Sequence, residues 1–223
     1  MELWNRISVS LGIKNRIVGG TPTDPKLIQA WISANMPAVD EAERKKLADA
    51  TVKDVAKATE EKAEGMWTTF KRDDTGVYIE GRQIKAAFKE SSNILRDLLI
   101  KAEGRKDGTK SRYTNLKAKL AERLFVEEDK IYFTRKGVTI TKPDGNEERA
   151  IHVMTAQGPR TALKRCDFVG TPCKLQFTLR YLADGVVDLD LIKTLLEHSS
   201  WNGIGADRSQ GNGLFEVLEV QPL

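Results

Sequence analysis

The chain has 223 residues, 40% of them hydrophobic and 30% charged, with a formal net charge of +4. That is enough apolar material for a real core, and the mild basicity is compatible with a nucleic-acid partner. Two cysteines exclude a disulfide framework, no apolar run is long enough to span a bilayer, and the N-terminus lacks a signal-peptide pattern, so a cytoplasmic protein with no membrane partner is expected.

The first element reads as a strand. Leu3, Ile7, Val9, Leu11 and Ile13 fall on one face at period two, and Arg6, Ser8 and Ser10 on the other. Gly19, Gly20 and Pro22 then make a loop. Asp24-Pro25 reads as the N-cap and first residue of a helix whose stripe is Leu27, Ile28, Trp31 and Ile32, ended by Pro37. A second, exposed helix is expected over 40–63, rich in Ala, Lys and Glu.

Trp67 to Ile79 reads as a hairpin with its turn at Asp73–Gly76. A helix follows Gly81, with Ile84, Ala87, Phe88, Leu95, Leu98 and Leu99 as its core stripe. Arg82, Lys85, Lys89 and Arg96 share another face, and two of these cations sit in the first turn, where the helix dipole disfavours them. A basic loop precedes a strand expected from Leu124 to Phe133, and Lys142–Gly145 is expected to turn a second hairpin. Cys173 to Tyr181 alternates cleanly, a helix capped by Asp188 follows, and a glycine-rich loop feeds a last strand over about 214–220.

With 15–80 and 134–172 set aside as insertions, the order is strand, helix, strand, strand, helix, strand. This predicts an α+β fold with a ferredoxin-like (RRM-like) βαββαβ core. Within it, Val77–Glu90 reads VYIEGRQIKAAFKE, and Gly203–Val217 reads GIGADRSQGNGLFEV.

These two segments resemble the repeat-associated mysterious proteins (RAMPs) of CRISPR systems. In that superfamily a glycine opens the first helix, and a loop with a G-x-G-x-x-R-S-x-G-x-G pattern precedes the last strand. Tyr78, Ile79, Gly81, Ile84, Lys85, Ala87 and Phe88 echo the first pattern. Gly203, Gly205, Arg208, Ser209, Gly211, Gly213, Phe215, Glu216 and Val217 echo the second. The layout is most similar to the backbone subunits that line a guide RNA. The resemblance implies one domain over 1–223, with a mainly helical insertion after strand 1 and a hairpin "thumb" between strands 2 and 3. It implies single-stranded or guide RNA as partner, with further copies or other CRISPR-type subunits alongside. The chain departs from the pattern where Glu80 replaces a proline and Arg82-Gln83 replace a small pair.

The expected phosphate contacts form three groups. Gly203, Gly205, Arg208, Ser209 and Gly211 offer a backbone nest plus one cation; the alternative is a helix C-cap and a tight turn. Gly81, Arg82, Lys85 and Lys89 offer a helix N-terminus with a cationic face; the alternative is a solvated face. Lys142, Arg160, Lys164 and Arg165 lie on the thumb, together with Lys136 and with Met154 and Phe168 as stacking groups; the alternative is a surface hairpin.

Catalysis is not expected. Asp24 matches the loop where some RAMP subunits place an RNA-cleaving aspartate, but it is explained as an N-cap. His198 could serve as a general acid or base, but it reads more simply as a cap at a helix C-terminus. Cys166, Cys173, His152 and His198 lack zinc-site spacing, and neither metal nor cofactor is expected. An RNA-processing endoribonuclease and a protein-binding adaptor are the two rival functions.

Overall fold

The computed structural model describes residues 3–23, 66–104, 111–155 and 158–223, with positions 42, 45, 46 and 49. The expected helix at 24–37, nearly all of that at 40–63, and Asp24 lie outside the described residues.

In chain order the strands begin with β1 (Trp4–Ile13), β2 (Arg16–Val18), β3 (Thr21–Pro22), β4 (Met66–Thr69), β5 (Lys71–Arg72) and β6 (Val77–Glu80). Helices α1 (Gly81–Ala102) and α2 (Leu116–Arg123) follow, then β7 (Leu124–Val126), β8 (Lys130–Tyr132), β9 (Thr134–Arg135) and β10 (Val138–Thr139). The chain continues through β11 (Gly145–Thr155), β12 (Gly158–Gly170), β13 (Lys174–Leu182), α3 (Leu189–Asn202) and β14 (Phe215–Pro222).

The main sheet has β1 at its centre, antiparallel to β13 on one side and to β14 on the other. The far edge of β13 is shared by β7 and β9. Period two puts Ile7, Val9, Leu11 and Ile13 of β1 beside Leu175, Phe177 and Leu179 of β13, all buried. The helices cover this face: Ile84 and Phe88 of α1, Leu116 and Leu120 of α2, and Leu191, Ile192, Leu195 and Leu196 of α3 complete one core. Each such side chain contributes roughly 1.5–3 kcal/mol by leaving water. Arg6, Lys174, Gln176 and Arg180 lie on the open face. Leu3, expected on the core side, is 62% exposed, because pairing with β13 starts only at Trp4.

The second sheet is built on a long hairpin in which β11 pairs with β12 from Gly145↔Phe168 to Thr155↔Gly158. The base of β12 is held by β2 and, in parallel, by β4. The described pairing of this hairpin runs to Thr155 and Gly158, and the turn expected at Lys142–Gly145 is instead a crossing between sheets. Asp144 fixes that crossing: it pairs with Arg135 at 2.6 Å and accepts from the Gly170 amide at 2.8 Å.

A third, small sheet has the order β5-β6-β8 and includes the expected Asp73–Gly76 turn. Trp67 lies outside it, on β4. The strand expected over 124–133 is two strands, because β7 joins the main sheet and β8 pairs with β6. Within 15–80 the described residues form strands β2 to β6 with their connections, and positions 42, 45, 46 and 49 are helical. Helix α2 is short, and its two buried leucines fit too few turns for a stripe to stand out in the sequence. The fold is α+β.

Candidate nucleic-acid interface

The glycine loop begins where α3 ends. Gly203 takes φ +77° as the C-cap, and its amide donates to Ser199 at 2.8 Å. A side chain at Gly213, φ +76°, would place its Cβ 1.8 Å from the Ile204 carbonyl oxygen. One at Gly205 would meet Ile17 Cγ1 at 2.8 Å and the Val18 carbonyl at 2.9 Å. The amides of Ile204, Ala206 and Gly213 donate to Gly213, Val18 and Arg16 at 3.0, 3.0 and 2.7 Å. Thus the loop's glycines let it fold onto itself and onto β2. At Gly211 a Cβ would meet nothing within 4 Å, and its amide closes the turn on Arg208 at 2.8 Å.

Two charged residues leave this packed loop in opposite directions. Arg208 opens a 3-10 turn and reaches α1, where Glu90 accepts from its guanidinium at 2.7 and 3.4 Å. Both side chains remain about a third exposed or more. Arg208's hydrogen bond, opposed by partial burial, holds Glu90 below the usual carboxylate range. Ser209 beside it is exposed.

Asp207, at φ +54°, points instead to the base of the hairpin. Lys164 of β12 reaches it at 2.8 Å and Arg149 of β11 at 2.9 Å, and the Cys166 thiol donates at 3.5 Å. Burial raises the Asp207 pKa, but the bond and charge of Lys164 with the charge of Arg149 outweigh it, and the net shift is downward. Next to this cluster Arg16 bonds Asn212 at 2.9 Å and pairs with Glu147 at 2.5 Å. A polar pocket of about 190 Å³ lies between hairpin and loop, lined by Arg16, Glu147, Arg149, Phe168, Asp207 and Gln210 among others.

Arg165 stacks over Trp67 at 4.3 Å from the ring centre and bonds Asn146 at 3.1 Å. Lys142 is exposed on the crossing between the sheets, and Lys136 at φ +51° lies in the β9–β10 turn. Arg160 is paired with Val153 near the far end of the hairpin, and its side chain and that of Met154 lie outside the described set. Phe168 sits at the hairpin base near Arg16, 5.5 Å from ring centre to guanidinium.

At the start of α1, Gly81 is buried against the segment after β7: a Cβ there would stand 2.2 Å from the Glu128 carbonyl. Its amide donates to Asp129 at 3.0 Å. The anion that relieves the cationic first turn belongs to the protein, since Glu80 takes Arg82 at 2.6 Å and Lys71 at 3.3 Å. Lys85 bonds the Ala121 carbonyl at 2.8 Å and lies 4.1 Å from the Phe125 ring centre. Burial, with the charge of Lys89, lowers its pKa. Lys89 makes no ion pair among the described residues.

His198 is not a cap. Gly203 ends α3, and His198 Nδ1 lies 2.9 Å from Ser91 Oγ of α1, itself 2.8 Å from Ser199 Oγ. With Ser91 fully buried, the group joins two helices and offers no accessible nucleophile. Both cysteines are free and buried, and burial pushes the Cys173 thiol up to about 11. No grouping of metal-ligating side chains occurs among the described residues.

The structure thus brings Arg208, Lys164 and the Glu90 turn of α1 to one region. Glu90, Arg149, Arg16 and Asp207 complete that region. Only Asp207 carries a sequence signal, as the residue before Arg208 in the glycine motif. The others contribute through register and helix packing, which spacing does not encode.

No protein-family model matches the chain, and no curated protein matches it. Among solved structures, the chain is similar to one in a cryo-EM structure of the Type III-B Cmr-beta bound to cognate target RNA, with TM-score 0.47 and 14% identity. The alignment covers 99% of this chain and spans 61% of that one. No helix among the described residues is long and apolar enough to cross a membrane.

Proposed function

We propose that this chain is a RAMP-like RNA-binding module that grips single-stranded RNA through its phosphates and works beside further copies or other CRISPR-type subunits as a backbone element. The observation that carries the reading is convergence. The glycine loop, α1 and the hairpin base are far apart in sequence, and Arg208–Glu90 and Asp207–Lys164 tie them into one region. A second support is topology: β1, α1, β7, β13, α3 and β14 follow the βαββαβ order, and the strands stand as β14-β1-β13-β7, as in a split-βαβ, ferredoxin-like core.

Arg208 is the central contact. Its guanidinium offers a fork of donors that suits phosphate oxygens as well as a carboxylate. An ion pair this exposed is worth about 0.2–1 kcal/mol, so a phosphate can take the place of Glu90 at small cost. Lys89, one residue from Glu90, adds charge on the same helix. The glycine amides contribute chiefly by fixing where Arg208 leaves the loop. Lys164 and Arg165 set the base of the hairpin, and Lys142 and Arg160 lie farther along the RNA path that this reading implies.

Fluorescence anisotropy with labelled single-stranded RNA over a range of salt tests the reading. Binding should weaken steeply with salt and fall at least tenfold in the Arg82→Glu, Arg208→Glu double variant, in line with loss of phosphate contacts. Absence of binding at low salt, or indifference to the double substitution, overturns it.

A further inference from the structure

Trp201 is the most exposed of the described large hydrophobic side chains at 71%, and it stands in the last turn of α3, two residues before the glycine loop starts. It is not a stray surface residue beside neutral solvent. Lys14, from the turn between β1 and β2, places its ammonium 4.7 Å from the ring centre. That turn is fixed to the glycine loop: the Lys14 amide donates to Leu214 at 2.9 Å, and the Asn15 side chain donates to the Gly211 carbonyl. His198, three residues before Trp201, bonds Ser91, the chain neighbour of the Glu90 that holds Arg208. An indole and Lys14 therefore flank the loop that carries Arg208.

We infer that Trp201 is a stacking platform for one nucleobase of single-stranded RNA, with Lys14 beside it as a phosphate contact. The inference rests on the RNA-binding reading above and adds a base contact to a site otherwise built for phosphates. Binders of single strands combine a basic track with flat aromatic faces, because every base has a π-face and stacking tolerates any sequence. A tryptophan already this exposed needs no rearrangement to receive a base. Its cation leaves the other face of the ring for stacking and strengthens the contact with the strand. Glu197, four residues earlier on α3, shares the helical face of Trp201, so the phosphates approach from the Lys14 and loop side.

The test compares a uridine homopolymer with the matching abasic strand, against the wild-type chain, Trp201→Ala, Trp201→Phe and Arg208→Glu. Stacking predicts that Trp201→Ala weakens homopolymer binding by about tenfold while Trp201→Phe keeps most of it. The abasic strand should bind wild type and Trp201→Ala alike. Both Trp201 variants should melt like the wild type, since the indole is outside the core. If Trp201→Ala binds the homopolymer as tightly as wild type while Arg208→Glu does not, the platform is overturned and the phosphate reading stands. If the wild-type chain binds neither strand, both fall. If Trp201→Ala changes self-association in sedimentation and leaves RNA affinity untouched, the indole serves a protein contact and the inference fails.

Discussion

The glycine loop and the start of α1 present the same signal in sequence, glycine next to cations, and the fold uses them in opposite ways. At α1 the glycine packs against the Glu128 carbonyl, and two cations are engaged close by: Arg82 by its neighbour Glu80, with its side chain still 55% exposed, and Lys85 by the Ala121 carbonyl and the Phe125 ring. In the loop Gly203, Gly205 and Gly213 pack just as closely, and Arg208 crosses to a partly exposed pair with Glu90 on α1. The lesson is that glycine marks close approach in both places, while only the loop's cation pairs with a carboxylate distant in sequence.

The largest effect separates glycines within the loop. Gly213→Ala forces a Cβ into the Ile204 carbonyl at positive φ and should cost more than about 3 kcal/mol, seen as a large drop in the denaturation midpoint. Gly211→Ala meets only the left-handed backbone penalty of about 1–2 kcal/mol. Equal losses at the two positions would mean that packing does not set the loop.

Next in size is the contrast between cations. Arg208→Glu alone should lower single-stranded RNA affinity by about tenfold, whereas Lys85→Met should leave it within about twofold, because Lys85 is already committed inside the protein. Glu90→Gln removes Arg208's competitor. The exposed pair's worth of about 0.2–1 kcal/mol converts to an affinity gain of roughly 1.5–5-fold. Anisotropy titrations at one fixed salt concentration check all three.

The smallest effect is in acid. Glu127 bonds Arg6 at 2.6 Å and Arg180 at 2.7 Å, and those bonds, led by Arg6 and opposed by burial, take it from 4.5 to about 2. A carboxyl depressed on folding stabilises the fold above its unfolded pKa. That contribution fades as pH falls from about 4.5 towards 2. Glu127→Gln should therefore flatten the slope of stability with pH in this window, measured by denaturation at fixed pH values.

Much of the core is legible in the sequence because its signals are local. Period two in β1 and β13 marks the buried face, and Asp188 marks the start of α3, where it accepts from the Leu191 amide at 2.8 Å. What stays hidden depends on pairing between distant segments. The Lys142–Gly145 turn reads as a hairpin turn by composition, yet Asp144 holds Arg135 and Gly170 across two sheets. The loop's glycines stand out in the sequence, but their purpose does not, because only the tertiary structure brings Ile17, Val18 and Arg16 against them. Glu90, one more charge on a charged helix, gains meaning only when α1 and the loop meet.

The most direct test counts phosphates at Arg208. The logarithm of the single-stranded RNA association constant, plotted against the logarithm of salt concentration, should lose about 0.7 of slope in Arg208→Gln relative to wild type, one contact removed. A slope unchanged by that substitution, with affinity also unchanged, would contradict the assignment of Arg208 as the residue that meets the RNA backbone.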